Sequence, residues 1–143
     1  MKKINHLKKY LLRKNLLDNN SATKNQFIIK DGIVEPFSVD DLGFQYHFTL
    51  SINLTGYRYP FEDLIASIVS WMQANQPDAI ISTRSRQQAI KFNVANINGN
   101  QCDLTIELTL SERIKPIQQQ DKLEFNSLTD RIILQESLEK YGY

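Results

Sequence analysis

The segment FQYHFTLSINLT, residues 44–55, limits what this chain can fold into more than any other part of it. Phe44, Tyr46, Phe48, Leu50, Ile52 and Leu54 alternate with Gln45, His47, Thr49, Ser51, Asn53 and Thr55. A period of two puts the first set on one face of a strand and the second on the other, as in a sheet with one buried face. Such a face needs a covering layer, and PFEDLIASIVSWMQANQPD, residues 60–78, supplies one. Phe61, Leu64, Ile65, Ile68, Val69 and Met72 recur at i, i+3, i+4, i+7, i+8 and i+11, and Trp71 widens the stripe. Pro60 suits a first helical turn, and Glu62 and Asp63 favour the positive end of the helix dipole. Pro77 disfavours helical geometry at Gln76, so the helix is expected to stop near Asn75 and to lay its apolar face on the sheet that includes residues 44–55.

The remaining segments fit around this pair. INHLKKYLLRKNLL, residues 4–17, places Ile4, Leu7, Tyr10 and Leu11 on one side, widened by Leu12, Leu16 and Leu17. A terminal helix packed by its leucines, with lysines in solvent, is the favoured reading over a membrane-surface or nucleic-acid helix. QFIIKDGIVEPF reads as a short strand interrupted by Asp31-Gly32, or as a small hairpin, with Pro36 confining its second half to an edge or a loop. ISTRSRQQ reads as an exposed loop. AIKFNVANI and CDLTIELTL flank Asn98-Gly99-Asn100, the strongest short-range hairpin signal. Cys102, Leu104, Ile106, Leu108 and Leu110 face one way there, so Cys102 reads as a small core residue. DKLEFNSLTDRIILQESLEKYGY is open between a short strand and a last helix. The expected fold class is α+β: a two-layer single domain over residues 1–143, mainly antiparallel sheet, with helices packed on one face.

A chain of 143 residues is close to the size of one domain. Its single cysteine cannot close an internal disulfide and, with no CxxC pair, fits a reducing compartment. Six basic residues (Lys2, Lys3, Lys8, Lys9, Arg13 and Lys14) precede the first acidic one, leaving eleven basic against sixteen acidic residues beyond them. That asymmetry can mark a nucleic-acid or membrane partner, but a net charge of +1 is low for a dedicated nucleic-acid binder. No run approaches the ~18 apolar residues a bilayer demands, so a soluble intracellular protein is expected, with no membrane partner.

Catalytic chemistry is not visible. His6 sits among lysines and His47 on a polar strand face, neither beside a nucleophile. No P-loop or GxGxxG turn occurs, metal-ligand spacing is absent, and Asp40-Asp41 and Glu62-Asp63 are adjacent pairs whose side chains diverge. The expectation is a protein without catalytic residues, metal, cofactor or small-molecule substrate. The best candidates for a partner interface are Tyr57, Arg58 and Tyr59 before the helix and Arg84 and Arg86 after it, because aromatics and arginine are favoured at interfaces.

Taken together, the long strand, the helix opening with Phe61 and Asp63, Trp71 with the Gln76-Pro77-Asp78 exit, and the two-strand unit ending in Ser111-Glu112-Arg113 resemble the tail completion protein R family of temperate contractile-tailed phages. The resemblance is carried by residues 44–114 and more loosely by the basic helix 1–18; residues 115–143 diverge as a C-terminal tail. It implies a virion assembly protein that caps the head-proximal end of the tail, ends tail polymerisation and prepares head-tail joining. It implies a homo-oligomer ring, commonly six-fold, with tail tube or sheath proteins and head connector proteins as partners, and a location in the host bacterial cytoplasm and then the virion tail. The rival is a small nucleic-acid-binding or regulatory module using the basic N-terminal helix.

Overall fold

The computed structural model describes residues 1–18, 25–119 and 122–127, with side chains described as far as Lys115. In chain order these form α1 (Lys2–Arg13), β1 (Asn25–Pro36), β2 (Phe44–Tyr57), α2 (Phe61–Asn75), a 3-10 turn at Pro77–Ala79, α3 (Thr83–Ala89), β3 (Ile90–Asn98), β4 (Gln101–Gln119) and β5 (Lys122–Ser127). The sheet runs β1-β2-β4-β3, with β5 also paired to β4, and every pairing is antiparallel. Ile114 faces Phe44 of β2 and Ser127 of β5, so β5 lies along the edge of β4 that β3 occupies further back. The expected α+β class, mainly antiparallel, is what forms.

The alternation in β2 does what its period requires. Phe48, Leu50, Ile52 and Leu54 sit opposite Leu110, Leu108, Ile106 and Leu104 in register, and all eight are buried. On this face α2 lays Leu64, Ile68, Trp71 and Met72, and α1 adds Ile4, Leu7 and Leu11. Phe61, Ile65 and Val69, expected in the same stripe, are only half-buried along its margin. Each fully buried side chain of this size contributes about 1.5–3 kcal/mol, so this layer supplies most of the apolar stabilisation.

Two expectations need correction. ISTRSRQQ is not a loop from end to end: Thr83–Ala89 is helical. Ser82 accepts a hydrogen bond at Oγ from the Ser85 amide, and Ser85 Oγ accepts in return from the Ser82 amide, giving the helix a reciprocal N-terminal cap. Asp31-Gly32 does not turn the chain back either. Asn25–Pro36 is one strand along β2, and the register slips between Lys30 and Ile33, where Asp31 takes φ 53°. Two residues of β1, Asp31 and Gly32, stand against the single Phe48 of β2, and one residue too many makes a bulge, not a hairpin. Asn98-Gly99-Asn100 does close the β3–β4 hairpin, with Asn98 opposite Gln101 and Gly99 at φ 61°. At the C-terminus the strand alternative holds for 122–127; the rest of that segment lies outside the described residues.

Candidate functional site

The five residues singled out for partner contact fall into two groups. Tyr57 ends β2 opposite Cys102, whereas Arg84 and Arg86 stand exposed on α3, just before Ile90 pairs with Leu108. Six residues of β4 separate those levels, about 20 Å along a strand. Within the first group the Tyr57 and Tyr59 rings meet edge-on at 5.5 Å between centroids, and Tyr59 donates its hydroxyl proton to Asp18. That hydrogen bond, ahead of desolvation, holds the Tyr59 phenol above its ordinary pKa, and Arg58 beside it pulls the other way. Tyr57 is 7% exposed, and its Oη is buried with no hydrogen-bond partner among the described residues. Burial, reinforced by Tyr59 and by the carboxylates of Asp18 and Asp63, drives its pKa far above that of a free phenol.

The residues whose side chains are capable of chemistry stay apart. His47 pairs opposite Ser111 on the open face, its imidazole 3.6 Å from Glu35, while Cys102 shares the core parity of Leu104 and is half-buried. His6 accepts a 2.9 Å hydrogen bond at Nδ1 from the Trp71 indole and so serves to seat α1 on α2.

What the structure does assemble is a buried polar knot, and no local pattern announces it. Lys3, Gln76, Ser111 and Glu112 are each at most 7% exposed. The Lys3 ammonium donates to Gln76 Oε1 at 2.6 Å and to the Ser111 carbonyl at 2.7 Å, and the Lys3 amide donates to Glu112 Oε1 at 2.7 Å. Gln76 also accepts from the Ser111 amide at 3.1 Å and donates through Nε2 to Ser111 Oγ and Asp78 Oδ1. β3 pairs with β4 only as far as Leu108 and β5 begins at Ile114, so the Ser111 peptide faces a gap between two strands. The Gln76 amide and the Lys3 ammonium fill that gap, satisfying backbone groups that would otherwise be buried unpaired. Gln76 and Asp78 come from the Gln-Pro-Asp exit of α2, and Ser111 and Glu112 from Ser-Glu-Arg in β4. The two tripeptides noted in the sequence therefore meet in space, joined by the basic N-terminal helix.

A profile of the P2 phage tail completion protein R (GpR) family matches residues 1–133, taking in α1, the knot and every described element. This chain belongs to that family. It is also 26% identical over 112 residues to the tail completion protein R of Escherichia phage P2, covering 75% of this chain and 72% of that one. No solved structure matches. As a member of the tail completion protein R family it is a phage tail protein, and the match reaches past the 44–114 stretch that carried the resemblance. Among the described residues, no group of three His, Cys, Asp or Glu side chains is placed to hold a metal.

Proposed function

We propose that this protein caps the head-proximal end of a contractile phage tail, stops polymerisation of the tail, and offers a new surface to the head connector. It acts by occlusion and adaptor binding, without turnover. The observation that carries the reading is the family match along residues 1–133, in a fold that spends its buried polar groups internally, in the knot around Gln76 and Ser111. It works as a ring, since a cap on a cylinder repeats with the cylinder's rotational symmetry, and many identical weak contacts give a grip that one copy lacks. Its partners are further copies of itself, tail tube or sheath proteins and connector proteins, met in the host cytoplasm and retained in the virion tail.

Electron microscopy of tails made with and without this gene tests the reading. Tails lacking the protein should be irregular in length or fail to join heads; tails of normal length that join heads in its absence would overturn it. The rival reading, nucleic-acid binding by α1, is weakened by where the lysines go. Lys3 is buried, Lys8 sits 4.8 Å over the Phe27 ring and Lys14 5.4 Å over Tyr10. Binding that collapses between low and physiological salt would favour that rival.

A further inference from the structure

Among the described residues the path β1-β2-β4-β3 ends at β1 on one side and at β3 on the other, where β5 continues along β4, and the β1 and β3 edges differ in a complementary way. Seven of the eleven exposed large apolar side chains among the described residues fall between Ile28 and Leu42, on β1 and the loop after it, and Phe92 and Ile97 stand on β3. Residues 28–42 carry Lys30 against Asp31, Glu35, Asp40 and Asp41, a net charge of −3. Residues 83–98 carry Arg84, Arg86 and Lys91 with no acidic residue, a net charge of +3. One edge is apolar and acidic, the other apolar and basic.

The register places these charges at the same end of the sheet. Glu35 is level, through Gln45, with Arg113 of β4, and the loop bearing Asp40 follows it. α3 precedes Ile90, which is level with Leu108, and Thr109 Oγ1 bonds the Gln88 carbonyl, so Arg84 and Arg86 lie beyond that same level. Direction agrees as well: β1, β2, β4 and β3 alternate, so β1 of one copy beside β3 of another continues the antiparallel order. Backbone polarity also agrees. The Ser111 amide points away from β2, toward Gln76, and in an antiparallel ladder this fixes the parity of each neighbour. Phe27 and Ile29 of β1, and Ile90, Phe92 and Val94 of β3, then aim their amides outward. Pro36, which has none to offer, occupies an outward position of β1. Aligned level with level, Ile29 faces Ile90 and Phe27 faces Phe92, over five residues on each side, 25–29 and 90–94, that contain neither strand's bulge.

We infer that the β1 edge of one copy pairs with the β3 edge of the next, with the acidic β1 end against Arg84 and Arg86, and that this head-to-tail contact closes the ring. The inference rests on the capping reading above and names its surface. The contact joins different patches of identical chains, the kind that closes by rotation, and free strand edges are the usual template for such addition.

Charge reversal of both edges separates this contact from its alternatives. Tails are produced in cells lacking the native gene and supplied with E35K/D40K, with R84E/R86E, or with both; the four positions are exposed, and thermal unfolding of each variant checks that it still folds. Each variant alone sets like charge against like around the ring and should lose the ring at the tail end. Supplied together they should restore it, because alternating copies put opposite charges at every junction. Either variant closing a ring by itself, or a mixture that fails to rescue, overturns the β1–β3 contact and leaves the capping reading standing. Wild-type tail ends that carry one copy or none overturn the capping reading, and this contact with it.

Discussion

Replacing Tyr57 by Phe should leave the protein as stable at neutral pH as before, or up to about 1 kcal/mol more so, since the hydroxyl it removes is buried and makes no hydrogen bond among the described residues. The pH dependence carries the same signature. Burial raises the folded pKa of Tyr57 above the unfolded value of about 10, so its contribution is intact below pH ~10 and is lost as pH rises beyond it. Denaturant melts of wild type and Y57F should therefore diverge above about pH 10, with the wild type losing more. Trp71 lies at the other extreme, 2% exposed, packed in the core and hydrogen-bonded to His6. Trp71→Ala should cost about 3–5 kcal/mol in chemical denaturation, the range for large core truncations. A near-neutral change there would mean that the α1–α2 seam does not depend on the indole. Both residues were visible in the sequence, but only as an aromatic near a turn and an apolar position in a stripe. That one would be short of a partner and the other would find a histidine sixty-five positions away depends on tertiary packing.

At the scale of elements, the readable parts were those with an uninterrupted period. β2, β4 and α2 each repeat for ten or more residues, and the hairpin between β3 and β4 carries its own Asn-Gly signal. α3 was missed because seven residues hold no apolar stripe, and its cap uses Ser85 where a Glu or Gln would have given the familiar signature. β1 was misjudged because Asp-Gly serves bulges as well as turns, and only the partner strand decides between them. Bulges also explain the role of Asp103. Its carboxylate accepts from the Gly56 amide at 3.0 Å and from the Asn96 side chain at 2.8 Å, so one residue of β4 ties together the irregularities of the strands on both sides. Those bonds, the one from Asn96 first, lower its pKa. A lowered carboxylate contributes stability above the unfolded value of about 3.9 and loses it as pH falls through the folded one. Protection of the Gly56 amide against exchange, relative to its intrinsic rate, should fall in D103A at neutral pH, and in the wild type only in acid; equal protection in both proteins at pH 7 would rule out the tie.

For the whole molecule, the two-layer plan could be read in advance because patterning decides which faces pair, while the knot at Lys3, Gln76, Ser111 and Glu112 could not. Its members lie up to 109 positions apart and each is an ordinary polar residue in its own neighbourhood. Gln76→Ala should cost about 2–3 kcal/mol by leaving the Ser111 amide and hydroxyl without their partner, a loss that urea titration would resolve. The knot also sets an order of events during synthesis. A chain leaves the ribosome at about 5–20 residues per second, so the helix that emerges first waits several seconds for Ser111 and Glu112, the groups that fasten Lys3. Through that interval Leu7 and Leu11 lack the finished sheet beneath them. Nascent chains halted before residue 111 should therefore show α1 open to protease, and chains halted well past it should not.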